Sequence, residues 1–114
     1  MSIKTVNLED GRPTCDAAIR RLTYELSAAR AARTGCLKLI HGYGSSGAGG
    51  RIRTECRAYL ERQQRAGKIK FYVTGEQFTI FSDLTRHALD RFPELRADRD
   101  LERYNNGITF VVLL

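Results

Sequence analysis

The residues best suited to chemistry lie in one glycine-rich stretch, from His41 to Arg53. Glycine lets the backbone adopt positive φ and approach a ligand closely. Amides at a helix start have no acceptor within the helix, and the positive end of the helix dipole favours an anion, most simply a phosphate. We therefore predict a phosphate-binding loop, formed by Gly42, Tyr43, Gly44, Ser45, Ser46, Gly47, Gly49, Gly50, Arg51, Arg53 and Arg57.

Two regular elements must position this loop. The apolar run 36–40 is short enough for a buried strand, and residues 51–65 carry apolar side chains at helical spacing. Arg51 and Arg53 in the first helical turn are unfavourable to the dipole, and Arg53 repels Arg57 four residues on. A bound phosphate would remove both conflicts, which indicates function. The alternative is a flexible connector whose arginines are solvated.

The remaining pattern predicts an α/β fold made of a two-layer sandwich. Its mixed four-stranded sheet has helices mainly on one face, in a βαβαββ-like order, with an inserted helical segment at about 74–104. We expect a single domain over 1–114. The other predicted elements are a strand at 5–8, a helix from Pro13 to Gly35, a strand at 69–73, a short strand at 78–81, a helix capped by Ser82 with Leu84, Ala88 and Leu95 inward, a solvated turn at 96–103, and a central buried strand at 108–113.

Charge favours a polyanionic partner. The net charge is +6, and residues 1–70 hold 14 Lys and Arg against 6 Asp and Glu, whereas residues 71–114 hold 5 against 7. Arginine supplies 15 of the 19 basic residues, and its planar fork suits bidentate phosphate contacts. Nucleic acid, either DNA or RNA, is the commonest such partner. The alternative is that the excess of basic over acidic residues serves only to keep the protein soluble.

Several other classes of protein lack support in the sequence. The longest apolar run is too short to span a bilayer and the N-terminus has no apolar signal region, so we expect a cytoplasmic protein with no membrane partner. Three widely spaced cysteines give neither a disulfide framework nor a zinc pattern, and we interpret Cys15, Cys36 and Cys56 as reduced core residues. His87 is interpreted as a surface or packing residue. No metal site or cofactor is predicted.

The loop also resembles two nucleotide-binding motifs. Residues 42–47 match GxGxxG after a strand, but the loop continues through 48–50 and no acidic strand end follows about 20 residues later. A dinucleotide-binding domain is therefore the weaker alternative. The phosphate loop of nucleotide triphosphatases needs Lys and then Ser or Thr after its last glycine, where this chain has Ala48 and Gly49. Triphosphate hydrolysis is not expected.

The sequence also resembles a known family, the small MutS-related (Smr) domain. Residues 41–44, His-Gly-Tyr-Gly, and 49–53, Gly-Gly-Arg-Ile-Arg, are similar to its His-Gly-x-Gly loop and following helix start. Residues 106–113 look like its final glycine-led strand, and Asp16-Ala17 resembles an acidic-Ala pair in its first helix. The resemblance implies a two-layer α/β domain similar to the C-terminal domain of a bacterial translation initiation factor. It also implies nucleic-acid binding and, in several members, DNA nicking or RNA cleavage.

One departure from the family bears on catalysis. The family's first strand usually ends Leu-Asp-x-His-Gly, whereas Asn7 and Glu9 stand here in place of its Asp and His. The resemblance therefore implies binding more firmly than cleavage. An endonuclease would use His41 as general acid or base, with Glu9 or Asp10 as its partner; equally, His41 would anchor the loop. The other alternative is a non-catalytic module that binds an anionic protein or ribosomal surface.

Overall fold

A mixed four-stranded sheet organises the chain, which a computed structural model describes over residues 2–43 and 49–114. The strands are β1 (Ile3–Asn7), β2 (Cys36–Ile40), β3 (Phe71–Thr74) and β4 (Ile108–Val112). Their order across the sheet is β1-β2-β4-β3; β1 is parallel to β2, and β4 is antiparallel to both of its neighbours. This confirms the predicted mixed sheet, and it places the apolar last strand inside the sheet.

The strand directions bring four chain segments to one edge. β1, β2 and β3 all end there and β4 begins there, since Asn7 pairs with Ile40, Ile40 with Ile108 and Thr74 with Thr109. We call this edge the carboxyl rim; it comprises segments 8–14, 41–43, 75–82 and 98–107. The loop predicted to bind phosphate therefore starts on this rim.

Two long helices cover one face of the sheet, as predicted. α1 (Cys15–Ala31) begins at Thr14, whose side chain accepts a hydrogen bond from the amide of Ala17, and α2 (Gly49–Arg65) follows the glycine loop. Alternate residues of the strands point towards these helices. The resulting core contains Val6, Leu8, Leu22, Leu26, Ala29, Leu37, Leu39, Cys56, Leu60, Ile69, Val111 and Leu113.

The segment 74–104 covers the opposite face. It contains a 3-10 helix at Gly75–Gln77, α3 (Asp83–Arg91) and a second 3-10 helix at Pro93–Ala97. Their apolar residues pack on the other set of strand side chains to form a second core, made of Cys36, Val73, Phe78, Ala88, Leu89, Phe92, Leu95, Ile108, Phe110 and Val112. The insertion thus buries a sheet face that would otherwise be exposed.

Three predictions within this segment are wrong. No strand forms at 78–81, because the capping box of Thr74 turns the chain out of the sheet and Phe78 packs on Phe110, with ring centroids 4.4 Å apart. Leu84 is 37% exposed, since the inward face of α3 is set by other residues, among them Ala88. The stretch 96–103 is not a purely solvated turn.

Two aspartates of that stretch neutralise a buried lysine. Lys38 lies on the face of β2 that segment 74–104 covers, and it is only 9% exposed. Its Nζ lies 3.0 Å from both carboxylate oxygens of Asp98 and 2.7 Å from Oδ2 of Asp100. A buried charge needs such partners. Burial by itself would raise the pKa of Asp100, but hydrogen bonds from Lys38 and Asn105 outweigh it and hold that pKa below its usual value. The ion pairs fasten segment 98–100 to the sheet.

Within the described residues, no helix combines the length and apolar character needed to cross a bilayer.

Candidate functional site

His41 lies at the end of β2 on the carboxyl rim, and its ring is completely buried. Nδ1 lies 2.8 Å from the carbonyl oxygen of Gly42, and Nε2 lies 2.8 Å from Oγ1 of Thr109. A carbonyl only accepts, so Nδ1 carries the proton and Nε2 accepts from the Thr109 hydroxyl. Burial lowers the pKa of His41 to about 4, and the nearby Arg57 and Arg53 contribute in the same direction. The imidazole is therefore neutral at pH 7 and engaged at both nitrogens.

Arg57, one of the residues predicted to hold phosphate, is bonded to the protein itself. Its Nε donates to Oγ1 of Thr109 at 3.2 Å, and its two terminal nitrogens donate to the carboxylate of Glu76 at 2.9 and 2.7 Å. One of them also reaches the carbonyl of Ile108 at 3.2 Å. The anion beside Arg57 is thus Glu76. The hydrogen bond from Arg57 is the main reason that the pKa of Glu76 is lowered.

These contacts form one directed chain of hydrogen bonds. Arg57 donates to Thr109, Thr109 donates to His41, and His41 donates to Gly42. The chain joins α2, β4 and the start of the glycine loop, and Glu76 anchors it from the segment after β3. It therefore fixes the loop start to the sheet.

Gly42 brings the ends of β1 and β2 together. Its φ is +76°, and a Cβ added there would overlap the carboxylate of Glu9. The amides of His41 and Gly42 both donate to the carbonyl of Gly107 at 3.0 Å, so they are used within the fold. The structure brings Glu9 to Gly42, whereas the ring nitrogens of His41 bond Gly42 and Thr109 and not a carboxylate. Asp10 is exposed on the same rim.

Helix α2 begins with cations. Its first turn contains no acidic residue, whereas Asp16 and Asp83 occupy the first turns of α1 and α3. Arg53 is partly buried and lies close enough for its charge to lower the pKa values of His41 and Glu76. No carboxylate in the described part of the chain lies within ion-pair distance of Arg53. The positive helix start is therefore not neutralised by these side chains.

The other predicted loop residues are more dispersed. Arg51 is exposed and lines a groove of about 340 Å³ between α1 and α2. Tyr43 is 57% exposed on the rim, and Gly49 and Gly50 open α2. The predictions for Gly44, Ser45, Ser46 and Gly47 lie outside the described residues. Among the described residues, no group of three or more His, Cys, Asp or Glu side chains is placed to hold a metal ion.

Thr109 and Glu76 are the members of the site that the sequence did not reveal. Thr109 sits within an apolar strand, and a lone hydroxyl in such a run was the available signal, since a buried polar group requires partners. Glu76 lies 19 residues after Arg57 with no periodic relation to it. Only the pairing of β3 with β4 brings that carboxylate to α2.

The fold and the rim define a class of protein: a small α/β domain in which a strand leads through a glycine loop into a basic helix start. Its structure is similar to the crystal structure of the Smr domain of MutS2 from Thermus thermophilus, with a TM-score of 0.61 and 22% sequence identity over 97% of this chain and 98% of that chain. The chain therefore has an Smr-like fold. Neither the protein-family models nor the curated protein sequences give a match.

Proposed function

We propose that this domain binds nucleic acid through its phosphate backbone at the carboxyl rim. One observation carries the proposal: α2 starts with Arg51 and Arg53 and no acidic residue, directly after the glycine loop. The segment 44–48 contains no acidic side chain either. A phosphate at the loop would interact favourably with the helix dipole and with Arg53. The basic first part of the chain and the Smr-like fold both support this choice of polyanion.

In this proposal Arg57 is a positioning residue. Its guanidinium is bonded to Glu76 and Thr109, so it holds the start of the loop in place and leaves the phosphate contacts to other groups. A bidentate Arg–carboxylate pair has a fixed geometry, which suits a positioning role. Because the Gly42 amide is used within the fold, phosphate contacts come from the backbone of residues 43–50 and from the two arginines in the first turn of α2.

Replacing Arg53 tests the proposal directly. We expect Arg53→Ala to weaken binding several-fold for any sequence alike and to reduce the slope of log K against log salt by about one, because one phosphate contact is lost. The measurement is fluorescence anisotropy of labelled DNA and RNA oligonucleotides over a salt series. An unchanged slope would exclude the contact.

Arg91→Ala is the matched control. Arg91 is exposed in the last turn of α3. The substitution therefore removes the same charge as Arg53→Ala, but at the end of α3 that is farthest from the rim. Its salt slope should equal that of the wild type. If the wild type binds neither DNA nor RNA but binds an acidic protein surface through Arg53, the domain is a protein interaction module and the proposal falls.

Binding of nucleic acid at the rim does not by itself imply that the nucleic acid is cleaved. The ring of His41 is buried with both nitrogens bonded, which leaves Glu9, beside Gly42, and Asp10, exposed on the same rim, as candidate acid–base groups. General acid–base catalysis needs a group within reach of the scissile phosphate. We therefore expect binding without cutting when supercoiled plasmid or RNA is incubated with Mg²⁺ or Mn²⁺. Cleavage by the wild type that Glu9→Gln lacks would instead make this rim the active site of an endonuclease.

A further inference from the structure

Exposed aromatic rings are concentrated on the carboxyl rim. In the described part of the chain, four aromatic side chains are more than half exposed: Tyr24, Tyr43, Phe81 and Tyr104, at 70, 57, 82 and 57%. Tyr24 lies on α1, whereas the other three belong to three different segments of the rim. Single exposed apolar residues are ordinary on protein surfaces. Three of these rings, however, belong to segments that meet at one edge of the sheet, the edge at which the glycine loop also begins.

Contacts within the fold join these three segments. The ring edge of Tyr43 lies 3.0 Å from the position that a Cβ on Gly107 would occupy, so Tyr43 lies against the segment that contains Tyr104. The carboxylate of Glu102 accepts hydrogen bonds from the Thr79 hydroxyl at 2.6 Å and from the Ile80 amide at 2.7 Å. The turn that carries Phe81 is thereby fixed to the same segment.

The backbone beneath the rings is held by further hydrogen bonds. The Glu102 amide donates to the carbonyl of Phe78 at 3.0 Å, and Arg86 donates to the carbonyl of Ile80 at 2.6 Å. Asn105 accepts from the Gly107 amide at 2.9 Å and donates to Asp100 at 3.0 Å. A backbone fixed in this way reduces the conformational entropy that is lost when a ligand binds to the rings.

We propose that Tyr43, Phe81 and Tyr104 form a stacking platform for unpaired bases, so that the ligand of this rim is single-stranded nucleic acid. The inference rests on the proposed function, which places the phosphates of the same strand at the adjacent loop. Aromatic side chains stack on the π-face of any base, whereas bases inside a duplex are already stacked on one another. A phosphate site bordered by aromatic rings therefore selects for unpaired strands.

The test compares ring removal with ring retention. Phe81→Leu combined with Tyr104→Asn removes both rings; leucine keeps an apolar side chain, and asparagine tolerates the positive φ of 54° at position 104. Phe81→Tyr combined with Tyr104→Phe keeps both rings. Anisotropy is measured with labelled oligothymidylate of about 20 nucleotides and with a duplex of the same length. Circular dichroism establishes that each variant is folded.

We expect the wild type to prefer the single strand, and ring removal to weaken that binding by roughly 5- to 150-fold for each lost stacking contact while duplex binding stays unchanged. The ring-retaining variant and Tyr24→Leu, which removes an exposed ring away from the rim, should bind like the wild type. If ring removal leaves single-strand binding unchanged, or weakens both ligands equally, stacking is excluded and phosphate binding stands; the patch would then suit a protein partner. If the wild type binds neither ligand, the proposed function itself fails.

Discussion

His41 illustrates how burial decides the role of a titratable residue. Its sequence position after a strand and before glycines suits either an acid/base group or an anchor. In the structure the ring is fully buried, and its nitrogens bond Gly42 and Thr109. Protonation would make Nε2 a donor, so the Thr109 hydroxyl would accept from both Arg57 and His41 and its own proton would lose the acceptor that it has in the neutral state. His41 thus links protonation to the stability of the loop.

This link predicts a pH dependence of stability. The pKa of His41 is about 4 in the folded protein and about 6.5 when unfolded, so the unfolded state binds more protons between these values. Stability should therefore fall as the pH decreases from 6.5 to 4, by about 3 kcal/mol in total. Urea unfolding over this pH range measures it, and His41→Gln should flatten the dependence.

His87→Gln is the control for that experiment, because His87 is exposed and lies outside the hydrogen-bond chain. Lowered carboxyl pKa values also couple stability to pH, but for Glu76 and Asp100 the loss begins only as the pH falls below their usual values of 4.5 and 3.8. The interval from pH 6.5 to 5 therefore isolates the histidine. A slope there that persists in His41→Gln would contradict the assignment.

At the scale of elements, the first 3-10 helix packs tightly on the segment before β4. A Cβ added to Gly75 would overlap the carbonyl oxygen of Asn105 and lie 2.9 Å from a side-chain carbon of Ile108. Both neighbours lie within two residues of Gly107, whose carbonyl accepts hydrogen bonds from the amides of His41 and Gly42. The glycine at 75 is therefore required by space, and it lets the carboxylate of the next residue reach α2.

We expect Gly75→Ala to lower the free energy of unfolding by about 2 kcal/mol or more, because backbone atoms must move to admit the methyl group. Gly67→Ala gives the comparison: Gly67 has φ +75° but open space around its Cα, so only the conformational cost of about 1 kcal/mol applies. Urea denaturation gives both values. Equal effects would mean that segment 104–107 yields easily and does not brace the loop.

At the scale of the whole molecule, the sheet separates two apolar cores. One lies beneath α1 and α2, and the other beneath α3 and the second 3-10 helix. β2 and β4 contribute to both, through alternate side chains such as Leu37 and Cys36. Since the two faces share a backbone, loss of either core should expose the other, and the chain should unfold as one unit.

Paired truncations test this cooperativity. Leu26→Ala in the first core and Phe92→Ala in the second should each lower the stability by about 3 to 4 kcal/mol, the usual cost of emptying a fully buried site. Both variants should retain one transition that coincides in far-ultraviolet circular dichroism and tyrosine fluorescence. A second, separate transition in Phe92→Ala would instead define segment 74–104 as an independent appendage.

The parts of the fold that could be predicted are those with a local signal. Periodic apolar positions gave α1, α2 and the strands, and Ser82 marked the start of α3, because capping and amphipathic spacing act within a few residues. The strand predicted at 78–81 was wrong because Phe78 packs into the second core from a turn, whereas Ile80 and Phe81 are exposed. Within the site, the glycine loop and Arg53 have local signals, whereas Glu76 and Thr109 have none that identifies them as partners of Arg57.

The sequence by itself determined the α/β class, the order of the main elements and a basic, glycine-rich strand-to-helix loop, because these follow from short-range periodicity, capping and composition. Only the tertiary structure decided that Glu76 neutralises Arg57, that His41 is buried, and that Tyr43, Phe81 and Tyr104 share one rim. Those facts depend on strand pairing across long stretches of chain. Pairing arises from the burial of both sheet faces, which depends on residues far apart in the sequence and cannot be inferred from a short segment.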